Sequence, residues 1–180
     1  MDLINSYAIV GYLDGPVARF ALRLREELIP GSEELPHITV LRPRPLAQAA
    51  PEAVEFARDL VARFDPFSVE AGAVEVFAAT QVIYLSLRSG APELSAMHDV
   101  LNTGPLEDDE EFPYVAHITL AKDLGAARFD ACLETSRRRW EEVGPVAPLR
   151  IDTLTFVQQR LDGSWADLAE LGLGRVPAVG

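Results

Sequence analysis

Leu35-Pro36-His37-Ile38-Thr39-Val40 is a short apolar stretch rich in β-branched residues, and it reads as a buried strand. Side chains alternate along a strand, so His37 and Thr39 share one face while Ile38 and Val40 share the other. The pattern returns 80 positions later as Val115-Ala116-His117-Ile118-Thr119-Leu120. The chain holds three histidines, and two of them stand in this repeated frame.

The segments around the two stretches follow one order. Before the first, Ser6 to Leu13 reads as a strand. Asp14-Gly15-Pro16 then suits a helix start, Val17 to Leu28 carries Phe20, Leu24 and Leu28 at helical spacing, and Pro30-Gly31 ends it. After the first stretch, which ends before Arg42-Pro43-Arg44-Pro45, a helix is expected over Pro51 to Phe64. A strand follows over Phe67 to Phe77, with Gly72 as its bulge. The second half repeats this: a strand over Gln81 to Leu87, a helix over Pro92 to Leu101 carrying His98, and the acidic loop Glu107 to Glu111 before the second stretch. A helix over Ala126 to Val143 and one long strand over Ala147 to Gln158 come next. Asp162-Gly163 turns the chain into a returning strand over Trp165 to Leu171. Strand, helix, His-x-Thr strand, helix, strand occurs twice, which reads as internal duplication. One domain of two pseudo-symmetric lobes is expected, divided near 1–78 and 79–180, with or without strand exchange between them.

Composition limits the function classes. Of 180 residues, 48% are hydrophobic, a value ordinary for a globular protein. The 28 acidic and 16 basic residues give a formal net charge of −12, which argues against a long nucleic-acid footprint and leaves room for a small anionic ligand in a local basic pocket. A single cysteine, Cys132, excludes an internal disulfide and a cysteine zinc site. No apolar run is long enough to span a membrane, and the N-terminus has no signal-peptide pattern, so a cytoplasmic monomer is the expectation.

Two imidazoles brought face to face suit in-line displacement at phosphorus. The neutral one takes a proton from the attacking oxygen, and the protonated one gives a proton to the departing oxygen. Histidine serves both roles because its ordinary pKa, about 6.5, lies near neutrality. The hydroxyls of Thr39 and Thr119 would hold the non-bridging phosphoryl oxygens. Two histidines with no carboxylate or thiol at ligand spacing make a poor metal site, so neither metal nor cofactor is expected.

Pro36-His37-Ile38-Thr39-Val40, together with Phe112-Pro113-Tyr114-Val115-Ala116-His117-Ile118-Thr119-Leu120-Ala121-Lys122, resembles the 2H phosphoesterase superfamily in its 2′-5′ RNA ligase-like branch. The closing strand, its turn and Trp165 are similar as well. The resemblance implies an α+β, bilobal fold in which two antiparallel sheets face a central cleft with helices outside. It also implies cofactor-free opening of 2′,3′-cyclic phosphodiesters to 2′-phosphates and, in some members, reversible 2′-5′ joining of RNA ends. By that analogy His37 is the proton donor and His117 the acceptor, on a small nucleotide or an RNA terminus bearing a cyclic phosphate. Ala116 stands where the family often has proline. A non-catalytic phosphate- or nucleotide-binding module on the same fold is the competing class, and a cyclic phosphate of another kind is a third.

Other residues are read more plainly. Arg42 and Lys122 are candidate phosphate contacts, although Arg42 and Arg44 are also simple solvated loop charges. Tyr84 and Tyr114, with Tyr7, Tyr12 and Phe112, are candidates to stack on a base. His98 reads as a surface or packing residue, Glu107 to Glu111 as a solvated loop, and Arg137-Arg138-Arg139 as charges suited to a helix end.

Overall fold

A computed structural model describes residues 2–174. Within them the chain is an α+β fold: strands β1 (Leu3–Tyr12), β2 (His37–Arg44), β3 (Phe67–Phe77), β4 (Val82–Ser89), β5 (Ile118–Ala121), β6 (Leu149–Ile151), β7 (Thr153–Arg160) and β8 (Trp165–Gly172), and helices α1 (Gly15–Leu28), α2 (Ala50–Val61), α3 (Ala91–Leu101) and α4 (Ala126–Val143). The strands form one curled antiparallel sheet in the order β6-β3-β4-β5-β2-β1-β7-β8. Two four-stranded halves therefore meet at β2 and β5, the strands that carry the repeated motif. Their register pairs Ile38 with Ile118.

The halves of the sheet are interleaved along the chain. β3 follows β2 in sequence but pairs with β4, and β7 follows β5 and β6 but pairs with β1. The single strand expected over Ala147 to Gln158 is instead two strands. β6 pairs with β3, and β7 pairs with β1 at the other end of the sheet. The break falls at Asp152, whose side chain is 62% exposed and whose carbonyl accepts from the Leu173 amide at 2.9 Å. The apolar pattern runs across this break because residues on both sides face the same core, so periodicity alone does not reveal it.

Alternation along the strands gives the sheet two unlike faces. Ile9, Ile38, Val40, Leu85, Ile118, Leu120 and Phe156 are buried in one core under the helices. The amphipathic faces of α1 (Val17, Phe20, Ala21, Leu24, Leu28) and α2 (Ala53, Val54, Ala57, Leu60, Val61) close that core. The opposite face carries a smaller cluster, Ala8, Val10 and Val157, overlaid by Tyr12 and Trp165.

Two irregularities matter. β3 bulges at Gly72, where the pairing steps from Ala71↔Leu87 to Val74↔Leu85. A Cβ on Gly72 would stand 2.7 Å from Ser86 Oγ and 3.1 Å from the Ser86 carbonyl oxygen, so a larger residue would have to push β4 aside, and the Gly72 carbonyl accepts from Trp140 Nε1 of α4 at 2.8 Å. β2 continues past its expected end to Arg44, absorbing Pro43 in a bulge between Leu41 and Arg44. Proline is tolerated there because it owes no ladder hydrogen bond.

Candidate functional site

The antiparallel pairing of Ile38 with Ile118 builds the site. Both isoleucines are fully buried, so their neighbours at ±1 emerge together on the opposite face. Antiparallel register sets His37 beside Thr119 and Thr39 beside His117. The four motif side chains form a square around a local two-fold axis.

Each histidine is fixed in the same way. His37 Nδ1 donates to the Leu35 carbonyl at 2.8 Å, and His117 Nδ1 donates to the Val115 carbonyl at 2.6 Å. A carbonyl only accepts, so the proton sits on Nδ1 in both rings and Nε2 is left for chemistry. Burial pushes both imidazoles below their ordinary pKa. For His37 the Leu35 carbonyl and Glu34 partly offset the fall, while Arg25 and Lys122 add to it. For His117 the Val115 carbonyl is the offset, and charge on His37 lowers it further.

Two cavities open from this square and share Thr39. The one beside His117 has a volume of about 400 Å³ and is mostly apolar, with Phe77, Phe112, Pro113 and Tyr114 in its wall and Arg42 and Glu110 at its edge. The one beside His37, about 640 Å³, is more polar and includes Thr119, Lys122, Glu34, Tyr12 and Trp165. Both lie in the size range of small-ligand sites.

The remaining candidates fall in varied places. Lys122 pairs with Glu34 at 3.1 Å in the His37 cavity. Tyr114 stands in the His117 cavity and donates its hydroxyl to the Thr39 carbonyl at 2.9 Å. Tyr84 is buried outside both cavities: its ring stacks on Phe77 at 4.1 Å, meets His117 edge-on at 5.3 Å, and its hydroxyl donates to Glu75 at 3.1 Å. Arg42 lines the His117 cavity while its guanidinium approaches Glu110 at 3.5 Å.

Arg44 and the acidic loop at Glu110, expected to be solvated, are structural instead. The Arg44 side chain is 1% exposed. It donates to Asn102 Oδ1 at 2.6 Å, to the Leu106 carbonyl at 2.7 Å and to Glu110 Oε1 at 2.5 Å. Glu110 also holds His98 Nε2 at 3.0 Å, and the His98 ring stacks on Tyr114 with centroids 4.2 Å apart. His98 is thus a buried packing residue with carboxylate partners on both ring nitrogens, the other being Asp99 at 3.1 Å. The acidic loop is tied down through Glu110, not solvated throughout. Arg139, read as a helix-end charge, lies before the last turn of α4 and forms an exposed ion pair with Glu27 of α1 at 2.9 Å. A buried cation, Arg25, was not singled out by the sequence. It donates to the carbonyls of Glu34 at 2.6 Å, Thr119 at 2.5 Å and Leu120 at 3.3 Å, joining the segments before His37 and after His117. Its one signal is an arginine on the apolar face of α1, one residue after Leu24.

Among the described residues, no three His, Cys, Asp or Glu side chains are grouped to hold a metal ion. No helix among them is long and apolar enough to cross a membrane.

A single curled sheet with two His-x-Thr strands meeting at its centre defines a phosphoesterase-like architecture. The chain belongs to the 2′-5′ RNA ligase superfamily, whose family model matches residues 14–163. It is 24% identical over 145 residues, 78% of this chain and 80% of the relative, to the Halalkalibacterium halodurans protein named "Putative phosphoesterase BH1439". Its fold is shared with E. coli LigT crystallised with phosphate, at TM-score 0.61 and 15% identity, covering 97% of this chain and 100% of LigT. LigT crystallised with 3′-AMP matches at TM-score 0.61 and 14% identity, covering 96% and 100%. Family and fold together support a phosphoesterase activity of the 2′-5′ RNA ligase-like kind.

Proposed function

We propose that the protein is a metal-independent 2′,3′-cyclic phosphodiesterase that opens a small or terminal nucleotide cyclic phosphate to the 2′-phosphate, with 2′-5′ joining as the same ring opening in which a 5′ hydroxyl takes the place of water. The observation that carries this reading is the Ile38↔Ile118 register, which gathers His37, Thr39, His117 and Thr119 around one point on the open face of the sheet. LigT, which shares the fold, has been crystallised with phosphate and with 3′-AMP, and this supports a small phosphate-bearing ligand.

In the cleavage direction a water oxygen attacks phosphorus and its proton passes to Nε2 of His117. The bond from phosphorus to the 3′ oxygen breaks on the opposite side, and Nε2 of His37 supplies the proton that oxygen needs. The product is a 2′-phosphomonoester with a free 3′ hydroxyl. Thr39 and Thr119 donate their hydroxyls to the non-bridging oxygens as charge builds there. The apolar cavity with Phe77, Phe112 and Tyr114 suits the base, and Arg42 in that cavity and Lys122 in the one beside His37 suit phosphate oxygens.

The test is product analysis. Purified protein in excess EDTA is given 2′,3′-cyclic mononucleotides, and the phosphorus NMR of the product is read. Accumulation of 2′-phosphate alone is the expected result. Binding without turnover, by a folded protein and across all four bases and short RNA ends, would replace this reading with the binding module.

A further inference from the structure

The duplication allows positions around the two histidines to be compared directly. Three residues before each histidine stand Glu34 and Tyr114, and five residues after each stand Arg42 and Lys122. Symmetry would give the two cavities equal walls, yet here it is broken. Beside His37 the pair is a carboxylate and an ammonium, Glu34 and Lys122, 3.1 Å apart. Beside His117 the corresponding residues are the Tyr114 phenol, neutral because burial and then Glu110 push its pKa up, and the Arg42 guanidinium drawn toward Glu110 at 3.5 Å.

We propose that Glu34 is a positioning residue: its carboxylate holds the proton on His37 and so separates two otherwise equivalent imidazoles into a donor and an acceptor. This rests on the two-histidine reading given above. Glu34 is built into the wall. Its carbonyl accepts from the buried Arg25 at 2.6 Å, and its side chain, 30% exposed, is steered by Lys122. Burial alone would raise the Glu34 carboxyl, but Lys122, Arg25 and His37 more than offset this and keep it ionised.

The charges that face His37 come from several elements. Arg25 from α1 and Lys122 after β5 oppose its protonation, and Glu34 before β2 favours it. Tyr12 of β1 is its register partner and is committed to Asp167 at 2.8 Å. Glu33 shares the cavity, and His117 faces it from β5. Glu34 lines the same cavity as the ring, three residues before it, and is the carboxylate that favours its proton.

The experiment is an NMR titration of the imidazole Cε1–H signals in the full chain, for wild type, Glu34→Gln, Glu34→Asp and Lys122→Gln. Glu34→Gln is expected to lower the His37 midpoint and leave His117 far less moved. Glu34→Asp restores most of the loss, and Lys122→Gln raises the His37 midpoint. In turnover, the alkaline limb of the kcat profile of Glu34→Gln moves to lower pH, with a several-fold loss there and little on the acid limb. An unchanged His37 midpoint in folded Glu34→Gln, or a His117 shift as large as that of His37, overturns the inference. The titration needs no substrate. A shifted His37 in a protein that turns over nothing therefore sinks the reaction while sparing the inference, and the reverse outcome does the opposite.

Discussion

The two histidine frames share spacing, strand register and a carbonyl partner for Nδ1, and they are braced by different chemistry. On the His37 side one buried cation, Arg25, reaches from α1 to three backbone carbonyls and ties the Glu34 segment to β5. On the His117 side a network of Arg44, Glu110, His98 and Tyr114 fixes the loop that leads into the motif. Tyr114 then reaches across to the Thr39 carbonyl, so the second bracing also steadies the first strand. The difference teaches that the repeated chemistry needs only an identical local strand geometry, while the scaffold that supplies it is free to diverge. It also leaves one cavity mostly apolar and the other more polar.

The comparison is broken most severely at Arg44. Arg44→Ala leaves the mostly buried Glu110 carboxylate without its main partner, a loss of about 3–5 kcal/mol. In a chain of this size that lowers the thermal midpoint by roughly 10 °C, read by calorimetry. Next come the hydroxyls. Thr39→Val and Thr119→Val keep the strand shape and each lower kcat by up to about 10²-fold, with KM changed less. Equal losses indicate that the two-fold square acts as a unit, and unequal losses show which side carries more of the phosphoryl charge.

A subtler comparison lies in proton affinity. Burial depresses both imidazoles, so neutral rings are favoured until the pH falls below the ordinary histidine value. Because one ring must carry a proton, the bell of kcat/KM for the free enzyme is centred on the acid side of about pH 6.5. Tyr114→Phe removes one partly buried hydrogen bond to Thr39 and costs about 1 kcal/mol in denaturant unfolding. Arg139→Ala, at the exposed ion pair with Glu27, leaves both the unfolding midpoint and the turnover unchanged.

Much of the fold was legible because its signals are local. Strand β3 at Phe67–Phe77 and helix α4 at Ala126–Val143 occupy the expected spans, set by alternation and by flanking breakers. That His37 and Thr39, and likewise His117 and Thr119, share a face was legible too, since period-two alternation dictates it, whereas the Ile38↔Ile118 register that sets the two pairs side by side was not. What escaped depends on contacts distant in sequence. Arg44 looked like a loop charge because its partner Glu110 lies 66 residues away. His98 looked unpartnered because both Glu110 and Tyr114 reach it only once the loop folds back. The split at Asp152 was hidden because β6 and β7 feed one core from opposite ends of the sheet. Glu34 lay beside the motif in plain view, and its meaning depends on Lys122, 88 residues further on.

The most direct measurement of the central claim is the single-turnover rate of a 2′,3′-cyclic mononucleotide in EDTA, for wild type beside His37→Ala and His117→Ala. Both variants are expected to bind the nucleotide and fold like wild type, while each loses roughly 10²–10⁴-fold in rate. Near wild-type turnover by either variant would contradict the two-histidine mechanism.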